Sequence, residues 1–127
     1  MTIEFTTTID DVTLDDDPTA VSGTAVSGLQ AYHKDGMIVR VSLAKASSPG
    51  QLNFYLEFSE DGSTWYKHDE DGWGAKMLHG DSITNTPRIV WKAPILGSQA
   101  RIRAVAPSGS TDASNTFTLT VEIGLRK

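Results

Sequence analysis

The sequence predicts an all-β protein: an antiparallel β-sandwich, with the jelly roll as the preferred arrangement, and an extended N-terminal arm. Short segments alternate apolar and other residues with a period of two, which places the apolar side chains on one face of a strand. Asp-Gly dipeptides, which favour tight turns, follow several of these segments at positions 35–36, 61–62 and 71–72. No long window carries the apolar stripe of an amphipathic helix.

Two segments alternate most regularly. Each places four large apolar side chains on one face: Leu52, Phe54, Leu56 and Phe58 in the segment 52–59, and Phe117, Leu119, Val121 and Ile123 in the segment 116–123. The opposite face of the second segment is mostly threonine, and β-branched residues suit the exposed side of a strand. Both segments are predicted to be half-buried, as in antiparallel sheets with one face in water.

Weaker alternation predicts further strands at 37–44, 88–93 and 101–106. Near the start, we expect one face of a possible strand to carry Ile3, Phe5, Thr7 and Ile9. Residues 30–34 allow a single helical turn. Many short strands at this spacing are typical of β-sandwiches and jelly rolls.

The charge is distributed unevenly along the 127 residues, a length typical of one domain. Residues 1–36 hold seven acids and one base, whereas the remaining 91 residues hold nine acids and ten bases. We interpret residues 1–36 as an acidic N-terminal arm with the first strand or strands, part of the same domain as the sandwich at 37–127. This leading segment has too few large apolar residues to form a core of its own.

Composition excludes several classes of protein. The chain contains no cysteine, so it has no disulfides, thiolate metal ligands or cysteine nucleophile. Its net charge of -5 argues against a nucleic-acid partner, because binding to the phosphate backbone needs a positive surface. No apolar run approaches the roughly 20 residues that span a bilayer. The start lacks the pattern of a signal peptide, so we expect a soluble protein, made inside the cell, with no membrane partner.

Motifs for chemistry are absent from the sequence. The carboxylate runs 15–17 and 69–71 lack the spacing of a calcium loop, and we interpret them as solvated loop charge. The three histidines, His33, His68 and His79, lack the spacing of a zinc site. No nucleophile elbow or phosphate loop occurs. The prediction is therefore a protein without catalytic residues, metal or cofactor.

Aromatic residues offer a binding hypothesis. Trp65, Tyr66 and Trp73 are candidates for a platform on which a carbohydrate stacks. The competing interpretation is that Trp65 and Trp91 close the end of the sandwich core, where aromatic side chains bury a large area. Trp73 lies between two glycines, Gly72 and Gly74, in a polar stretch. An exposed tryptophan there would indicate a contact with a sugar or a protein.

Arginines on predicted strands offer a second hypothesis. Arg101 and Arg103 share one face under the period of two, and arginine pairs well with carboxylates at interfaces. We expect this row to accept the acidic leading segment of a neighbouring copy, with Asp15, Asp16 and Asp17 as contact residues. The alternative is a solvated sheet face.

One segment supports a resemblance to a known family. Residues 52–65 read LNFYLEFSEDGSTW, an apolar strand followed by a turn and the start of a second strand. Together with the segments 100–105 and 117–123, this resembles a unit of small all-β structural proteins of tailed bacteriophages, the jelly-roll cement or head decoration proteins.

The resemblance implies a non-enzymatic virion protein that binds the outside of the capsid shell and stabilises it. Its expected partners are the major capsid protein and further copies of itself, as a homotrimer or homodimer. Its expected location is the capsid surface, after synthesis in the host cytoplasm. The alternative function is a carbohydrate-binding or adhesin-type β-sandwich module.

Overall fold

The structure is a computed structural model that describes residues 2–69, 73–83 and 88–126. Over these residues nine strands form: β1 (Ile3–Leu14), β2 (Thr19–Ser22), β3 (Met37–Ala46), β4 (Gln51–Ser59), β5 (Tyr66–Lys67), β6 (Lys76–His79), β7 (Arg88–Ala93), β8 (Gln99–Ala106) and β9 (Thr116–Arg126). Two single-turn 3-10 helices lie at Leu29–Ala31 and Gly80–Ser82. None of the described helices is long and apolar enough to cross a membrane.

The strands form two antiparallel sheets, which confirms the predicted sandwich. The first sheet has the order β1-β9-β3-β7, and the second has the order β2-β8-β4-β5, with β6 also paired to β4. The pairs are nested: β1 lies beside β9, β2 beside β8, β3 beside β7, and β4 beside β5 and β6. Such nesting is a long hairpin rolled over itself, the topology of a jelly roll. Because β5 and β6 pair with opposite halves of β4, they act as one interrupted edge strand.

The core lies between the inner faces of the sheets. Along β8 every second residue is buried, and β3 and β9 alternate in the same way over most of their length. The apolar sets predicted for β4 and β9 are all buried, with at most 6% of any of these side chains exposed. The period of two therefore identified the inner faces of the long strands.

Strand β1 differs from the prediction at its N-terminal half. Phe5 lies opposite Gly124, whereas Ile9 lies opposite Val121, with a shift in pairing between Thr7 and Ile9. This bulge inserts one extra residue and reverses the faces. Ile9 is buried, while Phe5 lies on the outer face beneath the guanidinium of Arg40. The prediction that Ile3, Phe5, Thr7 and Ile9 share one face is therefore wrong.

The acidic leading segment is built into the sandwich. Residues 3–14, predicted as an extended arm with a first strand, are extended and pair along β9 as strand β1. Residues 19–22 form β2, which pairs with β8 at the edge of the second sheet. The leading segment thus supplies one edge strand to each sheet, and the acidic residues remain on their exposed sides and connections.

Candidate functional site

The outer side of the second sheet carries a row of charged and aromatic side chains, which we call the arginine face. Its members point away from the core on three neighbouring strands and the turn before β5: Tyr55 and Glu57 on β4, Trp65 just before β5, Lys67 on β5, and Arg101 and Arg103 on β8. Tyr66 pairs with the buried Phe58 and therefore points to the opposite side of the sheet. The alternation along β8 confirms that Arg101 and Arg103 share one face.

Arg101 is held firmly within this face. Its Nε donates to Oε1 of Glu57 over 2.7 Å, directly across the strand pair. Its guanidinium also lies 4.2 Å from the centre of the Trp65 ring. The Arg101 and Glu57 side chains are 24% and 14% exposed, so water screens this pair only in part. Arg101 is therefore occupied by a partner in its own chain.

Arg103 is the more available of the two predicted arginines. It lies between Ser22 on β2 and Tyr55 on β4, neither of which carries a charge. Within the described part of the chain, no carboxylate oxygen lies within 4.0 Å of its guanidinium. Arg103 can accordingly accept a carboxylate from another molecule without breaking an existing ion pair.

The aromatic rings of the arginine face are covered by cations. Arg101 lies over Trp65, and Nζ of Lys67 lies 5.4 Å from the centre of the Tyr55 ring. The ring of Tyr66 is 71% exposed at the sheet edge, but it lies on the other side of the sheet, so Trp65 and Tyr66 do not form one platform. A sugar would have to displace a cation before it could stack on either covered ring, because both groups use the same π-face.

Trp73 is a core residue, and its predicted role as an exposed contact for a protein or a sugar is wrong. It is 1% exposed, and its ring packs edge-on against Trp91 with the ring centres 5.7 Å apart. Trp91 in turn lies 5.4 Å from Phe54 in the second sheet. The indole of Trp73 fills the open side between the two sheets, which the glycine-flanked sequence did not reveal.

Asp15, Asp16 and Asp17 lie exposed on the connection from β1 to β2. The backbone N–H of Gly109 donates to Oδ1 of Asp17 over 2.8 Å, and the Thr111 hydroxyl donates to the Asp16 carbonyl over 2.6 Å. The acidic connection is therefore fixed against the β8–β9 connection. Among the described residues, no ion pair joins this acidic connection to the arginine face of the same chain.

More carboxylates gather at this end of the sandwich, which we call the acidic end. It consists of the exposed Asp15, Asp16, Asp17, Asp81 and Asp112 on three connections. Two of these connections are linked through the β3–β4 turn. The backbone N–H of Gly50 in this turn donates to the Ser110 carbonyl of the β8–β9 connection, and the Gly50 carbonyl accepts from the N–H of Gly80 in the β6–β7 connection. Lys45 is the cation at this end, and its ammonium donates to the Gly80 carbonyl over 2.7 Å.

A polar hollow of about 710 Å³ opens at the same end, lined by Lys45, Ser48, Pro49, Gly50, Gln51, His79, Asp81 and Ser110. Across residues 2–69, 73–83 and 88–126, no group of three or more His, Cys, Asp or Glu side chains is placed to hold a metal ion. Two members of the predicted acidic run 69–71 lie outside the described residues. The hollow is open to solvent and is lined by groups that can form hydrogen bonds with a polar ligand.

The site residues that the sequence analysis missed are Glu57 and Lys67. Glu57 faces Arg101 on one side and Lys67 on the other across neighbouring strands. The alternation of 52–59 already placed Tyr55 and Glu57 on the outer face of their strand. The pattern of a single strand does not give the order of strands in the sheet, and this order decides which outward residues become neighbours.

No family model matches the chain, and no curated protein matches it. Among solved structures, the crystal structure of PirA has a TM-score of 0.53 at 13% identity, over 92% of each chain. The structure of infectious bursal disease virus Gx strain gives 0.56 at 8% identity, over 98% of this chain and 31% of that chain. The CBM22-1 xylan-binding domain from Paenibacillus barcinonensis Xyn10C gives 0.48 at 18% identity, over 98% and 82%.

These likenesses concern the fold. At such identities PirA and the viral chain share the sandwich architecture with this protein, and the same architecture hosts many functions. This chain spans about a third of the length of the viral chain. The third likeness is too weak to support an inference. Function has to be argued from the surface.

Proposed function

We propose that this chain is a non-enzymatic structural protein of a virion, a capsid decoration (cement) protein that binds the outer shell through the arginine face. The observation that carries the proposal is the fixed arrangement of Arg101 between Glu57 and Trp65, with Arg103 and Tyr55 on the same face. Arginine, tyrosine and tryptophan are the residues that dominate the energy of protein interfaces. A preorganised set of them lowers the entropy lost on binding.

The charge of the arginine face indicates the chemistry of the partner. Arg101, Arg103 and Lys67 contribute three cations, against the carboxylate of Glu57 and that of Asp69, which lies 4.0 Å from Nζ of Lys67. An acidic patch on the major capsid protein would complement this face, and such complementarity sets register and speeds association. The protein would lie on the capsid surface, and its stability without disulfides suits assembly in the host cytoplasm.

The test is co-sedimentation of the purified chain with shells assembled from the major capsid protein encoded in the same genome. The native chain is expected to sediment with the shells. Combining Arg103→Glu with Trp65→Ala is expected to weaken binding by at least about 100-fold, because a charge is reversed and an aromatic anchor is removed. The matched control combines Lys34→Glu with Leu96→Ala, which changes an exposed cation and an exposed apolar residue elsewhere.

Two results would reject the proposal. One is a native chain that stays in the supernatant at shell concentrations where decoration proteins bind. The other is equal loss of binding in the arginine-face variant and the control. Binding of the native chain to glycans that is abolished by Trp65→Ala would instead support the carbohydrate alternative, in which the sugar displaces Arg101.

A further inference from the structure

The β7 edge of the outer face of the first sheet carries a charge opposite to that of the acidic end. Four cations project from this face, Arg40 on β3, Arg88 and Lys92 on β7, and Arg126 on β9. The carboxylates at the face are Glu122 on β9, Asp35 beside Lys92 and Arg126, and Asp10 and Asp11 at the bulge of β1 on the far edge. Glu122 is engaged with Arg40 over 3.1 Å. The other three cations have no carboxylate within 4.0 Å among the described residues. Among the described residues, the β7 edge of this face thus presents two cations, Arg88 and Lys92, that are not engaged in an ion pair.

An apolar centre lies between these cations. Val90 is 61% exposed and separates two hollows on the face. The hollow of about 320 Å³ includes Ile3, Asp35, Ile38, Lys92 and Arg126 in its lining, and that of about 250 Å³ includes Arg40, Ser42, Arg88 and Glu122. An exposed apolar residue with hollows on both sides and cations around them has the layout of an interface centre with a polar rim.

The acidic end has the complementary properties. It gathers five exposed carboxylates, and its projecting connection at 15–18 is held by the bonds from Gly109 and Thr111. Arg88 and Lys92 are four residues apart on the same side of β7, which corresponds to about 13 Å. A group of carboxylates spread over several linked connections can meet both cations, whereas a single acidic side chain cannot.

We propose that the acidic end of one copy docks on the outer face of the first sheet of a second copy, with Asp15 and Asp16 facing the cations Arg88 and Lys92 around Val90. The two contacting surfaces are different, so the contact is heterologous. Repetition of such a contact closes into a ring or continues as a chain, in contrast to the two-fold contact of a symmetric dimer. The contact uses a different sheet from the arginine face and does not depend on the proposed function.

The test is self-association of the full chain, measured as mass in solution by light scattering and sedimentation velocity. At about 50 mM salt the native chain is expected to form oligomers, and at about 1 M salt, where the Debye length falls to about 3 Å, it is expected to be monomeric. Asp15→Lys with Asp16→Lys, and separately Arg88→Asp with Lys92→Asp, are each expected to raise the dissociation constant at least about 100-fold, because like charges then face each other.

Recombination of these variants identifies the contact. The chain with all four substitutions restores opposite charges and is expected to associate again, as is a mixture of the two double variants. Circular dichroism and thermal unfolding establish that each variant is folded. The charge-reversal control is Lys67→Glu with Arg103→Glu on the second sheet, which is expected to leave self-association unchanged while removing shell binding.

Three results would overturn the inference: a native chain that is monomeric at about 1 mM and low salt, a folded four-substitution chain that does not associate, or loss of self-association in the Lys67/Arg103 control. The last result would place the contact on the arginine face. Failure to bind shells with intact self-association would reject the proposed function and leave this inference standing.

Discussion

The indole Nε1 of Trp73 donates a hydrogen bond to the backbone carbonyl of Lys92 over 3.2 Å. Trp73 belongs to the connection between β5 and β6 of the second sheet, and Lys92 lies on β7 at the edge of the first. A carbonyl at a sheet edge lacks a strand partner, so the indole satisfies it while its ring fills the open side of the sandwich. This hydrogen bond connects the two sheets, which have no strand in common.

Replacement of Trp73 by alanine is expected to destabilise the fold by about 3–5 kcal/mol, since it removes a large buried ring and leaves a cavity. Urea unfolding followed by circular dichroism measures this loss. Tyr66→Ala, which removes a ring that is 71% exposed, is the control and is expected to change stability by no more than about 0.5 kcal/mol. Equal effects of the two substitutions would contradict the core position of Trp73.

Gly124 provides the second prediction, because a Cβ atom there would lie 2.5 Å from Cε1 of Phe5. Phe5 cannot move outward freely, since the Arg40 guanidinium lies 3.4 Å from its ring centre. Gly124→Ala is expected to cost about 1–3 kcal/mol by overpacking. Removing the ring as well relieves the clash, so Gly124→Ala made in a Phe5→Ala background is expected to cost little. Additive unfolding free energies would argue against this contact.

The two Arg–Glu pairs are expected to differ in strength. Double-mutant cycles with alanine should give a coupling of about 1–2 kcal/mol for Glu57 and Arg101, between the values for buried charged hydrogen bonds and exposed pairs. For Glu122 and Arg40, whose side chains are 31% and 42% exposed, the expected coupling is about 0.5 kcal/mol. The difference in burial predicts that raising the salt concentration reduces the second coupling more than the first. A reversed order would show that burial does not govern these pairs.

Acid is expected to destabilise the protein through two turn carboxylates. The pKa of Asp112 is lowered from 3.8, first by the N–H of Ser114 and then by Asn115, and that of Asp61 is lowered first by the N–H of Thr64 and then by that of Ser63. A lowered folded pKa means that the ionised group stabilises the fold above pH 3.8, and that this stabilisation is lost as the pH falls through the folded value.

The measurement is the free energy of unfolding in urea between about pH 6 and about pH 2.5. Asp112→Asn keeps an oxygen that can accept the same N–H groups but does not titrate. It is expected to reduce the slope of stability with pH in the acid range. Asp15→Asn, at an exposed site that receives no hydrogen bond in the structure, is the control. A slope that is unchanged in the Asp112 variant would remove Asp112 from the explanation.

The long strands could be predicted because each buries one face. In β4 and β9 four consecutive alternate residues are large and apolar, so burial and the period of two agree. Strands β2 and β6 were missed because they have four residues each and lie at or near sheet edges, and the two-residue β5 was expected only as the strand that follows the turn at 61–62. Such strands are fixed by pairing with β8 and β4, and a single-strand pattern does not contain that information.

The candidate site was predicted in part. The shared face of Arg101 and Arg103 follows from their spacing alone. The difference between them does not, because it depends on Glu57 lying opposite Arg101 and Tyr55 opposite Arg103 across two strands far apart in sequence. Trp73 was misassigned for a related reason: flanking glycines suggested exposure, whereas the neighbouring Trp91 on another sheet determines its burial.

Both edges of the first sheet discourage the addition of a further strand. At one edge β1 has two shifts in pairing that interrupt its regular hydrogen bonding, and at the other the indole of Trp73 occupies a carbonyl of β7. The first sheet therefore offers few straight backbone edges that could template fibrils, a hazard for β-rich proteins at high local concentration. Contacts between folded molecules at these edges then involve side chains, and such contacts can be reversible and limited in number.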